Sequence, residues 1–500
     1  MKTKHASAGL KLSKKRKRKD DDSVSSGSDS DEKSTTLEIE EDPYEKETAR
    51  EKHIRLTRKA LQEAKDALAS DEDEEFLSNR LHEEILTQRE KIMRHISDKV
   101  KIPEISKFRE LTGHGKSPTC LCISDNGEHL YTAGKDATLI KWSLATLDKQ
   151  IVRKGGNQKK PAKIGHTGPI LAISVSSDER YVASGGADKL VIVWNAVDLS
   201  VFAKLSRHQS PVTAVSFRCN SHMLFTGDKS GRVCAWNMPL TDLIQDQGAR
   251  THIEVLGVVG LKGERCVTCT GYGGPGVTVW KVPEEICVQY APKSGHEESM
   301  ECIYAVMDDL FISGSVSNKL YVWNTSRGSP VQVLCNAHAA LDSEDLDSWR
   351  TSHLLGARKP LVWITCITGL RGTDLIATGA STGEVLFWKI SQPSKVAALG
   401  QTLSKEQRLQ MVDSSVTGTK LAPLPNSRIQ FAGFVNSLVF SPDGKFLCVA
   451  VGQELRLGKW EAARRKSVKN SVHIVPLNLD IKLNSNPLLA NRDLFDVQEE

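Results

Sequence analysis

The sequence predicts an all-β fold, a seven-bladed propeller behind a long polar extension, and three observations carry that expectation. Seven tryptophans, Trp142, Trp194, Trp236, Trp280, Trp323, Trp388 and Trp460, each close a short apolar run. The first five are spaced by 52, 42, 44 and 43 residues, close to the period at which four short strands make one blade. The runs themselves, such as Val191–Val193 and Leu320–Val322, are β-branched and aromatic and are bounded by Gly, Asp and Ser turns.

In chain order, residues 1–43 form a tail with too little apolar content to join a core. Lys14, Lys15, Arg16, Lys17, Arg18 and Lys19 make a compact basic run, the pattern of a nuclear localisation signal. The acidic serine block Ser23–Glu32 follows. Ser26 and Ser28 each have Asp three residues on and suit an acid-directed kinase, whose phosphates would deepen the acidic block. From 44 to 102 the pattern is that of a charged helical segment. Ile54, Leu61 and Leu68 recur at seven, then Leu77, Leu81, Ile85, Ile92 and Ile96 continue the stripe, with a break at Ser70–Asp73 and a stop at Pro103. Such a stripe packs either on the body of the same protein or in a partner's groove.

Residues 103–480 carry the repeat, and 481–500 are a C-terminal tail. Blade one reads His114, Thr132, Asp136, Trp142, and blade two His166, Ser184, Asp188, Trp194. This resembles the WD-repeat signature, and the resemblance implies a buried hydrogen-bonded chain from His, hydroxyl, Asp and indole that locks each blade of a seven-bladed WD-repeat β-propeller. The residue types belong together physically, because buried Asp and His are costly unless paired. Later blades degrade: the Asp position holds Ser230, Gly274, Ser317, Thr382 and Glu454, while His208, His252, His296 and His338 persist in varied settings. Blade seven has Gly433–Asn436 where Gly-His would stand, and either Arg109–Leu111 or Val472–Ile474 closes the ring.

Composition narrows the function. With 39% hydrophobic and 26% charged residues, no run of 18 apolar residues and a polar, basic N-terminus, the expectation is an intracellular protein without a membrane partner. Most of the eleven cysteines sit in strand patterns and read as core. Cys266 and Cys269 have zinc-like spacing without a second pair, so no metal and no cofactor is expected. Three enzyme motifs fail on context. Gly271–Gly276 and Gly379–Gly383 mimic the dinucleotide fingerprint and the nucleophile elbow, but strands follow where helices should. Gly115–Ser117 lacks the first glycine of a phosphate loop, since position 110 is Glu110. No catalytic residue and no small-molecule substrate is expected.

Charge and loops remain. The connection carrying Gly-His and the turn carrying Asp share one face, which collects Lys135, Lys189, Lys229, Arg207 and the insertion with Arg153, Lys154, Lys159, Lys160 and Lys163. Blade seven adds Arg456, Lys459, Arg464, Arg465, Lys466 and Lys469, expected in or beside its strand. Both stretches are candidates for a phosphate backbone. Insertions at about 339–360 and 391–428 are read as long loops.

Gly433–Leu438, Val451–Trp460 and Asn470–Leu477, with Lys135–Trp142, Trp280–Glu285 and the basic-then-acidic tail, resemble the WD-repeat protein of the U3 small nucleolar ribonucleoprotein. The resemblance implies a nucleolar, non-catalytic subunit. It would recognise the box B/C element of U3 small nucleolar RNA together with a small kink-turn-binding core protein. Alongside other small-subunit processome proteins it would serve maturation of 18S ribosomal RNA. The alternative is a nuclear WD scaffold, either a ubiquitin-ligase receptor or a histone-tail reader. The former usually carries Trp-Asp-x-Arg, whereas these tryptophans precede Ser143, Asn195, Asn237, Lys281, Asn324, Lys389 and Glu461. The latter needs an acidic, aromatic-lined central channel.

Overall fold

The computed structural model describes residues 93–102, 107–156, 164–238, 240–246, 253–261, 265–282, 284–292, 298–338, 362–391, 419–458, 468–477 and 479. The basic run, Ser26, Ser28 and the expected helices before residue 93 lie outside the described residues.

Seven four-stranded antiparallel sheets account for all the described strands. In blade one the chain runs outward through Pro118–Ile123, His129–Gly134, Leu139–Ser143 and Lys149–Arg153. The first three strands are almost wholly buried, while the fourth alternates exposed and half-buried residues. That gradient follows from position, because the outer strand has its free edge in solvent while the innermost strand has its own on the central channel. Blades two to six repeat the order with innermost strands Ile170–Val175, Val212–Phe217, Val255–Leu261, Met300–Met307 and Ile364–Gly369.

The core lies between blades rather than within any one of them. Trp194 of blade two, for example, packs in a cluster with Cys120 and Tyr131 of blade one. A blade is hydrophobic on both faces and is stable only with neighbours on both sides, so the ring must close. Closure uses both candidate segments. Arg109–Thr112 pairs antiparallel with Ser471–Pro476, Arg109 opposite Ile474 and Thr112 opposite Ser471, and becomes the outermost strand of blade seven.

That pairing overturns the expected role of Trp460. Leu447 faces Val475 where blade one sets Leu130 opposite Trp142, so Val475 occupies the tryptophan position. An insertion joins the second strand, ending at Gly452, to the third, starting at Ser471; Gln453–Gly458 and Val468–Asn470 of it are described, and Trp460 lies outside the described residues. The insertion read at 391–428 is also shorter, because Lys420–Gln430 forms the outer strand of blade six.

The end of the expected helical segment is not α-helical. Arg94 bridges to Thr373, and Ser97–Lys99 is a single 3-10 turn. A fully buried carboxylate, Asp374, accepts from the amides of Ile96 and Ser97 at 2.8 and 3.0 Å and from the Ser97 hydroxyl at 2.7 Å. Met93 and Ile96 enter the clusters around blade six, so Ile96 of the expected stripe serves a non-helical strap.

Candidate nucleic-acid interface

Because strands alternate in direction, the turns between second and third strands and the connections between blades share one end of the propeller, here the loop face. Blade one joins the two kinds of loop as expected: the Trp142 indole donates to Thr132 Oγ1 (3.0 Å), His114 Nε2 meets the same hydroxyl (2.8 Å), and His114 Nδ1 lies 3.2 Å from Asp136. Blade two repeats it with Trp194, Ser184, His166 and Asp188 at 2.7, 2.8 and 3.0 Å. Burial works to raise the Asp136 and Asp188 carboxyls, but hydrogen bonds from the histidines and from backbone amides outweigh it and hold both below the usual range.

Two locks were missed in the sequence. In blade three, His208 meets Thr226 at 2.8 Å and Asp228 at 3.0 Å, so the acid is Asp228 and Ser230 merely donates to it. In blade six, His338 meets Thr378 at 2.9 Å and Glu384 at 3.0 Å, and Thr382 takes no part. The acids lie two and six residues after the hydroxyl instead of four. Asp228 follows Thr226 by two within one strand and so shares its face, which was the available signal in blade three, whereas Glu384 lies across a turn on the strand after Thr378. In blades four and five Trp280 and Trp323 donate to Thr268 and Ser313, both at 2.8 Å, while His252 and His296 lie outside the described residues.

The basic candidates divide. Lys154 and Lys189 are exposed, and neither has an ion pair among the described residues. Lys135 pairs with Glu454 (3.0 Å), Lys229 with Glu254 (3.0 Å), and Arg207 with Asp246 (2.7 Å), which also takes Arg232 (3.4 Å). Arg153 turns away from the others. It donates to the carbonyls of Leu199 and Asp198 at 3.0 and 2.6 Å, at the opposite end of blade two from its lock. Lys159, Lys160, Lys163, Lys459, Arg464 and Arg465 lie outside the described residues.

Arg456 lies in a turn and not in the expected strand. Its guanidinium enters the central channel and donates to the carbonyls of Leu171 (3.3 Å), Thr213 (2.9 Å) and Leu256 (3.0 Å), on the innermost strands of blades two, three and four. Leu457 next to it packs on the cluster between blades four and five. The channel is a cavity of about 220 Å³ lined by innermost strands of all seven blades. Thr, Cys and aliphatic side chains dominate its wall, with Glu301 and no aromatic among them. Burial pushes the Glu301 carboxyl up, and Arg456 works against that rise. The aromatic-lined channel required of a histone-tail reader is therefore not what these strands build.

The inserted turn is pinned at both ends. Asn470 Oδ1 accepts from the Ser117 hydroxyl (3.1 Å) and the Gln453 amide (3.0 Å), and the Glu454 amide donates to Ser117 Oγ (3.0 Å).

The enzyme-like motifs are turns. Ser381 Oγ accepts from the Trp363 amide at 3.1 Å, and Gly271–Gly276 links two strands of one hairpin. Cys266 and Cys269, an odd number of residues apart in one strand, enter different interblade clusters and cannot share an ion.

The family model described as "WD domain, G-beta repeat" matches residues 105–143, 159–195 and 200–237. The chain is 31% identical over 439 residues to U3 small nucleolar RNA-interacting protein 2 of Mus musculus, covering 86% of this chain and 82% of that protein. It is 23% identical to ribosomal RNA-processing protein 9 of Saccharomyces cerevisiae, over 81% of this chain and 80% of that one. Among solved structures, that of U3-55K superposes with a TM-score of 0.62 at 29% identity, over 75% of this chain and 100% of that one. With its locked blades, its closure strand and this extent of shared sequence, the chain belongs to the family of U3 small nucleolar RNA-interacting WD-repeat proteins.

Proposed function

We propose that this protein is a non-catalytic, RNA-binding subunit of the U3 small nucleolar ribonucleoprotein, acting in the nucleolus on the precursor of 18S ribosomal RNA. The names of its relatives support the particle and the process. The finer reading is recognition of the box B/C element of U3 RNA beside a kink-turn-binding core protein, within the small-subunit processome. The observation that carries it is the inserted turn of blade seven. Its described parts, Gln453–Gly458 and Val468–Asn470, are tied to Ser117, to each other and, through Arg456, to the channel wall, at the end of the propeller that carries Lys135, Lys154 and Lys189. A preformed positive surface of this kind reads folded RNA through phosphates and shape.

The test is purification of the tagged protein from cells with sequencing of the bound RNA, followed by salt-titrated binding of that RNA. Reversing charge at Lys154, Lys159, Lys160 and Lys163 should weaken binding without lowering the melting temperature. Each lost phosphate contact should flatten the log–log salt slope by about 0.7 to 0.9. Absence of U3 RNA from the purified particle refutes the proposal.

A further inference from the structure

The Gly271–Gly276 turn of blade four departs from its neighbours. It carries no lock acid, and instead of being shaped by a carboxylate it is held by its own backbone. The Gly271 amide donates to Glu254 O (2.9 Å), the Gly274 amide to Gly271 O (3.3 Å), and the Thr270 amide to Gly276 O (3.0 Å). Gly276 adopts φ +86°, and a Cβ on Gly274 would collide with the Thr270 hydroxyl, so the turn depends on these glycines. Pro275 stiffens it further.

What this stiff turn presents is Tyr272, 67% exposed on the loop face. Among the described residues the other large exposed aromatic is Phe202, at 44%, and that ring is packed on Tyr181 at 5.0 Å. No hydrogen bond or ring contact holds Tyr272 within the described part of the chain. Three cations stand at this end of the propeller. Glu254, whose carbonyl anchors the turn, also pairs through its carboxylate with Lys229, and beside Lys229 on blade three stand Arg207 and Arg232 sharing the one carboxylate of Asp246. These cations are paired with acids, but Lys229 and Arg207 each keep about half of the side chain exposed, and exposed ion pairs are worth little, so both can turn to a phosphate at this end of the propeller. An aromatic plane beside cations that can take a phosphate is the arrangement that binds an unpaired nucleotide, whose base stacks on the ring while its backbone meets the charges.

We propose that Tyr272 is a stacking platform for an unpaired base of the bound RNA, with Arg207 and Lys229 as its phosphate contacts. The proposal rests on the RNA-binding reading above and adds a site that reading does not contain. The experiment uses the full-length protein and the RNA recovered with it, titrated with salt. Tyr272→Ala should weaken binding about tenfold with the salt slope unchanged, because stacking releases no counterions. Tyr272→Trp should bind as the native protein does, and Arg207→Ala should lower the slope by about 0.7 to 0.9. All three should melt with the native protein. Binding by Tyr272→Ala within twofold of native, while lysine reversals elsewhere on the face still weaken it, overturns the platform and leaves the RNA reading standing. So does loss of a protein partner by Tyr272→Ala with RNA binding intact. Failure of the native protein to bind the RNA at all removes the reading on which the platform rests.

Discussion

Arg456→Ala removes three hydrogen bonds from a charged donor to the carbonyls of Leu171, Thr213 and Leu256. Bonds of that kind are worth about 1.5 to 3 kcal/mol each when nothing replaces them. The channel has room for water, which can re-satisfy carbonyls at little cost, so the full sum does not apply. The 3.3 Å bond to Leu171 is also the longest of the three. A net loss of about 2 to 4 kcal/mol is therefore expected, read as a lower midpoint in urea unfolding. Arg456→Lys keeps the charge but replaces a planar fork with a point donor, and should recover about half of the loss. Freed of Arg456, Gln453–Gly458 should become sensitive to brief proteolysis while the ring stays folded. RNA binding should fall in step with stability. If Arg456→Ala melts like the native protein yet loses RNA, then Arg456 contacts RNA directly and the channel bonds are not what hold it.

Asp188→Ala should destabilise the propeller by about 1 to 3 kcal/mol, since buried His166 loses its acceptor, and a urea midpoint equal to native would dismiss the lock as a source of stability. The lowered carboxyls of Asp136, Asp188 and Asp228 give stability that is complete above the ordinary Asp value near 3.9 and is lost as pH falls through their folded values. Glu301, raised by burial, acts in the opposite sense at higher pH. Unfolding midpoints should accordingly drop steeply below about pH 4, and equal midpoints at pH 7 and 3 would contradict this. Removing residues 1–40 should abolish nuclear accumulation and leave the propeller folded; microscopy showing normal import would discard Lys14–Lys19 as the signal. Ser381→Ala should cost about 1 kcal/mol through its bond to the Trp363 amide, and labelling of Ser381 by a serine-hydrolase probe would reopen the question of catalysis.

The tryptophan period, the β-branched runs and the His-hydroxyl-Asp-Trp sets of blades one and two were legible because they are local. Each blade is a hairpin-built unit whose strands, turns and lock lie within one repeat, so spacing alone identifies it. The cysteines and the failed enzyme motifs were legible for the same reason, since a strand pattern on both sides defines a turn. Blade seven, the strap before the propeller and the altered locks of blades three and six were not, for a different reason in each case. Trp460 precedes the third strand of blade seven, Ser471–Pro476, and the strand that completes that blade comes from over 350 residues away. Ile96 has helical spacing yet stands outside any α-helix, at the start of a single 3-10 turn, and its amide finds its acceptor in Asp374, far along the chain. Asp228 and Glu384 sit at other offsets, and only the folded hairpin brings each to its histidine.

By itself, the sequence determined the number of blades, through its periodicity, and the family to which the chain is similar, through the residues of its motifs. The tertiary structure alone decided what the charges do. Lys135 is largely buried against Glu454, Arg153 is bound to a neighbouring blade and Arg456 to the channel wall, while Lys229 and Arg207 keep half-exposed pairs and Lys154, Lys189 and Tyr272 face solvent. Whether a basic side chain is available to a phosphate depends on the acids and carbonyls within about 4 Å of it, and in a ring of blades those come from distant parts of the chain.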